Sequence, residues 1–362
     1  MSKINVMTQN DVKNFKLHLE IIRIIAIFFV IFNHTGQEGY FLFYNYEPDT
    51  FSYWIYMFLS VFCKFSVSIF FAVSGALLLK KEEDIKIIFS HRVFRMISIT
   101  VLFSFLYYIL CLFLNNENFN LLDFLKKFIL YNGYYWNSTL WFLYVFTIYL
   151  ILLPFLREIV KNLTKKLYYY AVVIHLIFMS FFPIIYYSLS NEVSDFSLLE
   201  KIAFLSIFPI IGFYLEYKLP MQILNFKRIL YLWTLNIITI FITCCLTHFK
   251  SQSIGVHIED FHNSFVIINC IVIYITIKYI CCRINFSKLV SNILISVGRC
   301  TLGIYLLHIS IMVLVSNMRY FELFHRHLNH ILTILIYCFL VFLIGLLMTL
   351  ILKKIPIVKH LI

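Results

Sequence analysis

Long apolar runs separated by short polar clusters make up almost the whole of this chain, and neither strict alternation nor a polar face at helical spacing persists across them. Ten runs stand out, at about 17–36, 54–79, 92–114, 139–156, 167–188, 202–217, 229–247, 262–280, 295–316 and 329–352. Crossing a hydrocarbon core of about 30 Å takes about 20 helical residues, and most of the runs have that length. Lipid offers backbone N–H and C=O groups no partners, so segments of this kind close their hydrogen bonds internally as helices. The pattern therefore predicts an all-α integral membrane protein, a bundle of about ten transmembrane helices. A tail over 1–16 precedes the membrane domain of 17–352, and a basic tail over 353–362 follows it.

Composition agrees with a lipid environment. Of 362 residues, 62% are hydrophobic and 13% are charged, against about 45–50% and about 25% in soluble domains. The net charge of +12 raises the question of nucleic acid, but a nucleic-acid surface gathers its Lys and Arg on one soluble face. Here they punctuate apolar runs, which excludes that partner. Taken over alternate connections, one set holds twenty-one Lys and Arg and the other six. Cytoplasmic loops carry the excess, so both termini are expected in the cytoplasm of a multi-pass protein of a bacterial cell membrane. Arg23, Lys64 and Arg299 lie within or beside the runs and call for a separate explanation. Nine cysteines include no CxxC and no Cys/His spacing suited to zinc, so they read as buried thiols and no metal is expected.

The first run, LEIIRIIAIFFVIFNH, carries Glu20, Arg23 and His34. At 100° per residue these fall within about 60° on the helical wheel, a single polar stripe. Ionisable groups at membrane depth face the bundle interior or a water-filled cavity, although Glu20 and Arg23 can also form a structural pair. The first run is interrupted by these charges and lacks a small-residue cleavage site, so it is not a removable signal. In SIFFAVSGALLLKK, Ser74 and Gly75 follow two aromatics. Small residues there permit close helix approach, and Ser74 lacks the context of a nucleophile elbow. HRVFR puts Arg92 and Arg95 one turn apart at the cytoplasmic surface, where they either meet lipid headgroups or grip the phosphates of a soluble cofactor. VGRCTLGIYLLH sets Tyr305 and His308 on one helical face, as an interhelical hydrogen-bond pair or as the lining of a passage. Trp141, at the outer end of the fourth run, reads as a belt aromatic beside that passage.

Arg-x10-His (Arg23, His34), FF-x-x-SG (Phe70, Phe71, Ser74, Gly75), R-x-x-R (Arg92, Arg95) and the late YLLH (Tyr305, His308) occur in this order. The ordered set resembles the acyltransferase-3 family of integral membrane O-acyltransferases over nearly the whole chain. The resemblance implies transfer of an acyl group, usually acetyl from cytoplasmic acetyl-CoA, to a hydroxyl of a cell-envelope glycan or lipid-linked saccharide. It implies His34 as catalytic base or transient acyl carrier, with Arg23, partnered by Glu20, orienting the thioester or supporting an oxyanion. It implies Arg92 and Arg95, with Ser74, on the coenzyme A side, and Tyr305, His308 and Trp141 along the substrate passage. Many members carry a fused extracytoplasmic domain. This chain is expected to act without one or with a separate extracytoplasmic transferase partner. Direct transfer and an acyl-histidine intermediate both remain open.

The rival class is a polysaccharide or glycolipid transporter. Its marks are internal repeats and broken helices; neither is legible in the chain, and scarce Gly (9) and Pro (6) leave few places for a break.

Overall fold

The computed structural model describes residues 9–130, 140–189, 198–254, 259, 261–317, 329–359 and 361, and these residues contain helices and no strand. The long elements are α1 (Gln9–Asn33), α2 (Phe51–Cys63), α3 (Phe65–Leu78), α4 (Ile85–Asn115), α5 (Leu121–Leu130), α6 (Trp141–Lys161) and α7 (Lys165–Leu189). They continue with α8 (Leu198–Leu205), α9 (Phe208–Tyr217), α10 (Phe226–Ile254), α11 (Val266–Cys281), α12 (Lys288–Gly298), α13 (Thr301–Asn317) and α14 (His330–Leu352). Every one of the ten apolar runs falls on helix. Among the described residues six helices are long and apolar enough to cross a membrane, with α2 and α3 counting together as one, and a seventh crossing results if α12 and α13 also count as one span. Residues 1–8 of the expected N-terminal tail lie outside the described residues, as do Arg319 and Arg326 of the cation-poor set; residues 9–16 already belong to α1.

Caps set several boundaries. The side chains of Thr50, Thr164, Ser287 and Asn329 each accept a hydrogen bond from a backbone N–H in the first turn of α2, α7, α12 and α14, replacing partners that a helix start lacks.

Three runs expected as single helices are divided. The run 54–79 is interrupted at Lys64, between α2 and α3. Polar side chains meet the carbonyls nearby: Asn269 Nδ2 donates to the Phe62 carbonyl at 2.7 Å and Asn33 Nδ2 to that of Cys63 at 3.4 Å. The run 202–217 is two short helices, α8 and α9. The run 295–316 bends by 58° between α12 and α13, so the expectation of no broken helix was incorrect. No proline marks that bend. Instead, Thr301 Oγ1 bonds back to the Gly298 carbonyl at 2.8 Å and Lys353 Nζ, just after α14, donates to the Arg299 carbonyl at 2.8 Å. Side chains from neighbouring segments thereby replace helical partners, which is how a membrane helix tolerates a break.

A close backbone contact joins α3 to α9. A Cβ added to Gly75 would lie 2.0 Å from the carbonyl oxygen of Pro209, and one added to Gly212 would lie 1.8 Å from that of Ala72. Small residues let two backbones approach where lipid gives no hydrophobic drive for association. Beside this contact α9 and α11 meet α1 through buried charge. Glu216 accepts from Tyr274 OH at 2.8 Å, pairs with His18 Nε2 at 3.0 Å, and lies 3.4 Å from Lys278 Nζ.

Gly212→Ala should be destabilising, because a methyl group at 1.8 Å from a backbone oxygen forces α3 and α9 apart. Overpacking of this kind costs about 1–3 kcal/mol, to be seen as a lowered melting temperature of the detergent-solubilised protein.

Candidate active site

Helices α1, α3, α4, α6 and α13 surround a cavity of about 480 Å³. Its lining includes Arg23 and Val30 of α1, Phe70 and Ser74 of α3, His91, Arg92 and Arg95 of α4, Phe142 and Phe146 of α6, and Thr301 and Tyr305 of α13. Five of the nine residues singled out from sequence thus share one space: Arg23, Ser74, Arg92, Arg95 and Tyr305. A volume of this size is typical of small-molecule sites.

The two small residues of FF-x-x-SG divide their tasks. Ser74 lines the cavity, while Gly75 on the adjacent face seats α3 against α9. Of the aromatics, Phe70 also lines the cavity and Phe71 is buried against Phe142, Phe146 and Tyr149.

The exposed end of the cavity carries the cations. Residues 88–93 form a π-helical turn within α4, a departure that recurs at functional sites, and this turn brings His91 and Arg92 to the same cavity as Arg95 one turn later. Arg92 is not a free cation. Its Nε donates to Glu83 Oε2 at 3.0 Å and its terminal nitrogen to Oε1 at 2.5 Å, a two-pronged grip. Arg157, 6% exposed, donates to the same Glu83 at 2.9 Å and to the Leu78 carbonyl at the end of α3. Both arginines hold the Glu83 carboxyl down to about 2, chiefly through the Arg92 hydrogen bond. Among the described residues Arg95 has no carboxylate partner of this kind; its Nε donates to the Leu361 carbonyl at 3.0 Å.

Arg23 lies on the other side of the cavity and pairs with Glu20 at 3.2 Å. Glu20 in turn sits on Gly298, where an added Cβ would be 2.2 Å from its Oε2. The last turn of α12 therefore keeps a bare backbone so that the carboxylate reaches Arg23.

His34 and His308 do not line the cavity. They lie together beyond Tyr305, with ring centroids 5.1 Å apart. Tyr305 connects the two spaces: its ring is 5.2 Å from lining Phe142 and 5.5 Å from His308. Trp141 belongs to neither. Its ring lies under Lys201 Nζ at 5.1 Å, and only its neighbour Phe142 reaches the cavity. Among the described residues no group of three or more His, Cys, Asp or Glu side chains is arranged to hold a metal ion.

Lys64, unexplained from sequence, sits where α2 meets α3. Its ammonium pairs with Glu259 at 3.0 Å and lies 4.8 Å from the centre of the Tyr40 ring. Glu259 also accepts from Tyr40 OH at 2.7 Å, and the Lys64 charge leads in lowering its carboxyl to about 2. His91, Glu83 and Arg157 were not singled out from sequence. The one-turn argument that drew attention to Arg92 reaches His91 as well, whereas nothing local marks Arg157 or Glu83.

The family model of the acyltransferase domain matches residues 17–350. The chain belongs to the acyltransferase-3 family. No curated protein and no solved structure is significantly similar to it. Membership makes the chain a membrane-bound acyltransferase, and the cavity between α1, α3, α4, α6 and α13 is the place in this family member where the ordered motifs converge.

The Glu83 grip carries a pH signature. A carboxyl lowered from its ordinary 4.5 to about 2 in the folded protein contributes stability that is complete above pH 4.5 and is lost as the pH falls toward 2. The melting temperature of wild type should exceed that of Glu83→Gln at neutral pH, and the difference should close over that acidic interval.

Proposed function

We propose that this protein is an O-acetyltransferase that moves an acetyl group from cytoplasmic acetyl-CoA to a hydroxyl of a cell-surface polysaccharide or its lipid-linked precursor, working in a ten-helix bundle with both termini cytoplasmic. The observation that carries the reading is the order of groups along one path: cations at the exposed end, Ser74 and aromatics along the walls, and a histidine pair beyond Tyr305. In this reading the nucleotide stays in water against Arg95 and His91, with Arg92 held in place by Glu83. The pantetheine arm threads past Ser74 and Phe70 toward Tyr305.

Acyl transfer needs a base for the acceptor hydroxyl and positive charge near the developing oxyanion. His34 supplies the first. Arg23 lies eleven residues earlier on the same helix, about 16 Å along a straight axis, so it guides the thioester along the cavity instead of sharing one carbonyl with His34. The acceptor reaches His34 from the opposite side. The divided runs, the bend between α12 and α13 among them, are features that a transporter would also use, and consumption of acetyl-CoA separates the two readings.

Inside-out vesicles holding the protein and a trapped glycan acceptor should acetylate that acceptor from acetyl-CoA supplied outside. Right-side-out vesicles given external acetyl-CoA should not. His34→Ala at normal abundance should lose about 10²–10⁴ in rate, the usual contribution of a general base. Movement of glycolipid without use of acetyl-CoA, or full activity of His34→Ala, would refute the assignment.

The two arginines should also differ. Because Arg92 is committed to Glu83 and Arg95 is not, Arg95→Gln should raise the apparent KM for acetyl-CoA while sparing that for the glycan. Arg92→Gln should act chiefly by freeing Glu83 and so lower the melting temperature. Steady-state kinetics and melting curves on the two variants distinguish these effects.

A further inference from the structure

His308 is 1% exposed. Its Nδ1 is hydrogen-bonded to the backbone carbonyl of Tyr305 one turn earlier. A carbonyl oxygen can only accept, so Nδ1 must carry a proton, and a neutral imidazole carries only one. Nε2 therefore presents a bare lone pair. It is buried and, among the described residues, has no hydrogen-bond partner, a costly condition for a polar atom. Protonating Nε2 as well would bury a further N–H and a net charge, which is costly unless a neighbouring nitrogen accepts that N–H. The neighbour across from this ring is His34, at 5.1 Å between centroids.

Other groups packed there are already engaged. Asn33, next to His34, donates to Ser66 Oγ at 2.9 Å, and Lys64 is paired with Glu259. Tyr305 stands between His308 and the cavity.

We propose that His308 is the proton partner of His34, held in its Nδ1–H tautomer by the Tyr305 carbonyl so that Nε2 accepts the proton His34 takes up. The inference rests on the acyl-transfer reading above and deepens it. As the acceptor oxygen forms its bond to the acyl carbon and the C–S bond of the thioester breaks, the hydroxyl proton passes to one nitrogen of His34. The proton on the other nitrogen of His34 moves to Nε2 of His308. The route runs back when the thiolate leaves, so the sulfur ends as a thiol and both rings return to neutrality. His308 acts through His34 and is a positioning and proton-holding residue, whereas a passage-lining residue would need only shape and polarity.

The test uses the full-length protein in lipid with acetyl-CoA and a glycan acceptor. His308→Gln keeps a polar side chain that cannot take up the proton. Its kcat should fall by about 10–10²-fold, part of the range of acid–base catalysis, with KM for acetyl-CoA and the melting temperature near those of wild type. His308→Gly should be similarly slow and should recover kcat on addition of imidazole. Unchanged kcat in His308→Gln, or slow His308→Gly that keeps its melting temperature and ignores imidazole, would overturn the relay. Nitrogen NMR of histidine-labelled protein, assigned by comparison with His308→Gln, gives a readout besides activity. A protonated Nδ1 and bare Nε2 support the proposal, and the opposite tautomer defeats it even in an active enzyme. Wild type that transfers no acyl group would overturn the acyltransferase reading itself, and the relay with it.

Discussion

Helix α1 carries more ionisable side chains than lipid accepts, and the bundle is arranged to satisfy them one neighbour at a time. His18 meets Glu216 of α9, which Tyr274 and Lys278 of α11 also serve. Glu20 rests on the bare backbone of Gly298 in α12 and holds Arg23 toward the cavity. Asn33 bonds to the junction of α2 and α3, and His34 faces His308 of α13. Exposure of any of these to hydrocarbon would be expensive, so α1 cannot sit at the edge of the bundle. Its position fixes which helices can border the cavity.

The close approach of α3 and α9 has the complementary role. With no side chain between the two backbones at Gly75 and Gly212, α3 cannot roll without a steric clash. Ser74, one residue before Gly75, is thereby aimed into the cavity. Packing on one face of α3 sets chemistry on the next. The same economy appears at Glu83, whose carboxylate ties Arg157 of α6 to Arg92 of α4.

Much of this was legible in the chain. Charges inside an apolar run must face inward, which is why Glu20, Arg23 and His34 declared themselves, and Tyr305 and His308 did so for the same reason. What escaped notice were partners supplied from elsewhere in the sequence. Lys278 and Arg157 lie at run edges and look like loop cations, yet each is 6% exposed and bound to a glutamate far away in sequence. Counting positive charge ignores acidic residues, so Glu83, Glu216 and Glu259 attracted no attention. The division at Lys64 and the bend after Gly298 also lacked a local signal, because side chains that make up for the interrupted helix come from α1, α11 and the residue after α14. Trp141 has the composition of a passage residue but faces Lys201 instead.

The contact between Arg95 and the Leu361 carbonyl bears on how this protein can be handled. The backbone carbonyl of Leu361 occupies a guanidinium at the entrance to the cavity, so a peptide grafted just after that residue would begin its course beside the entrance. An affinity tag or fluorescent fusion attached there would crowd the doorway that the proposed donor would use, and would add its own charges to the cationic rim.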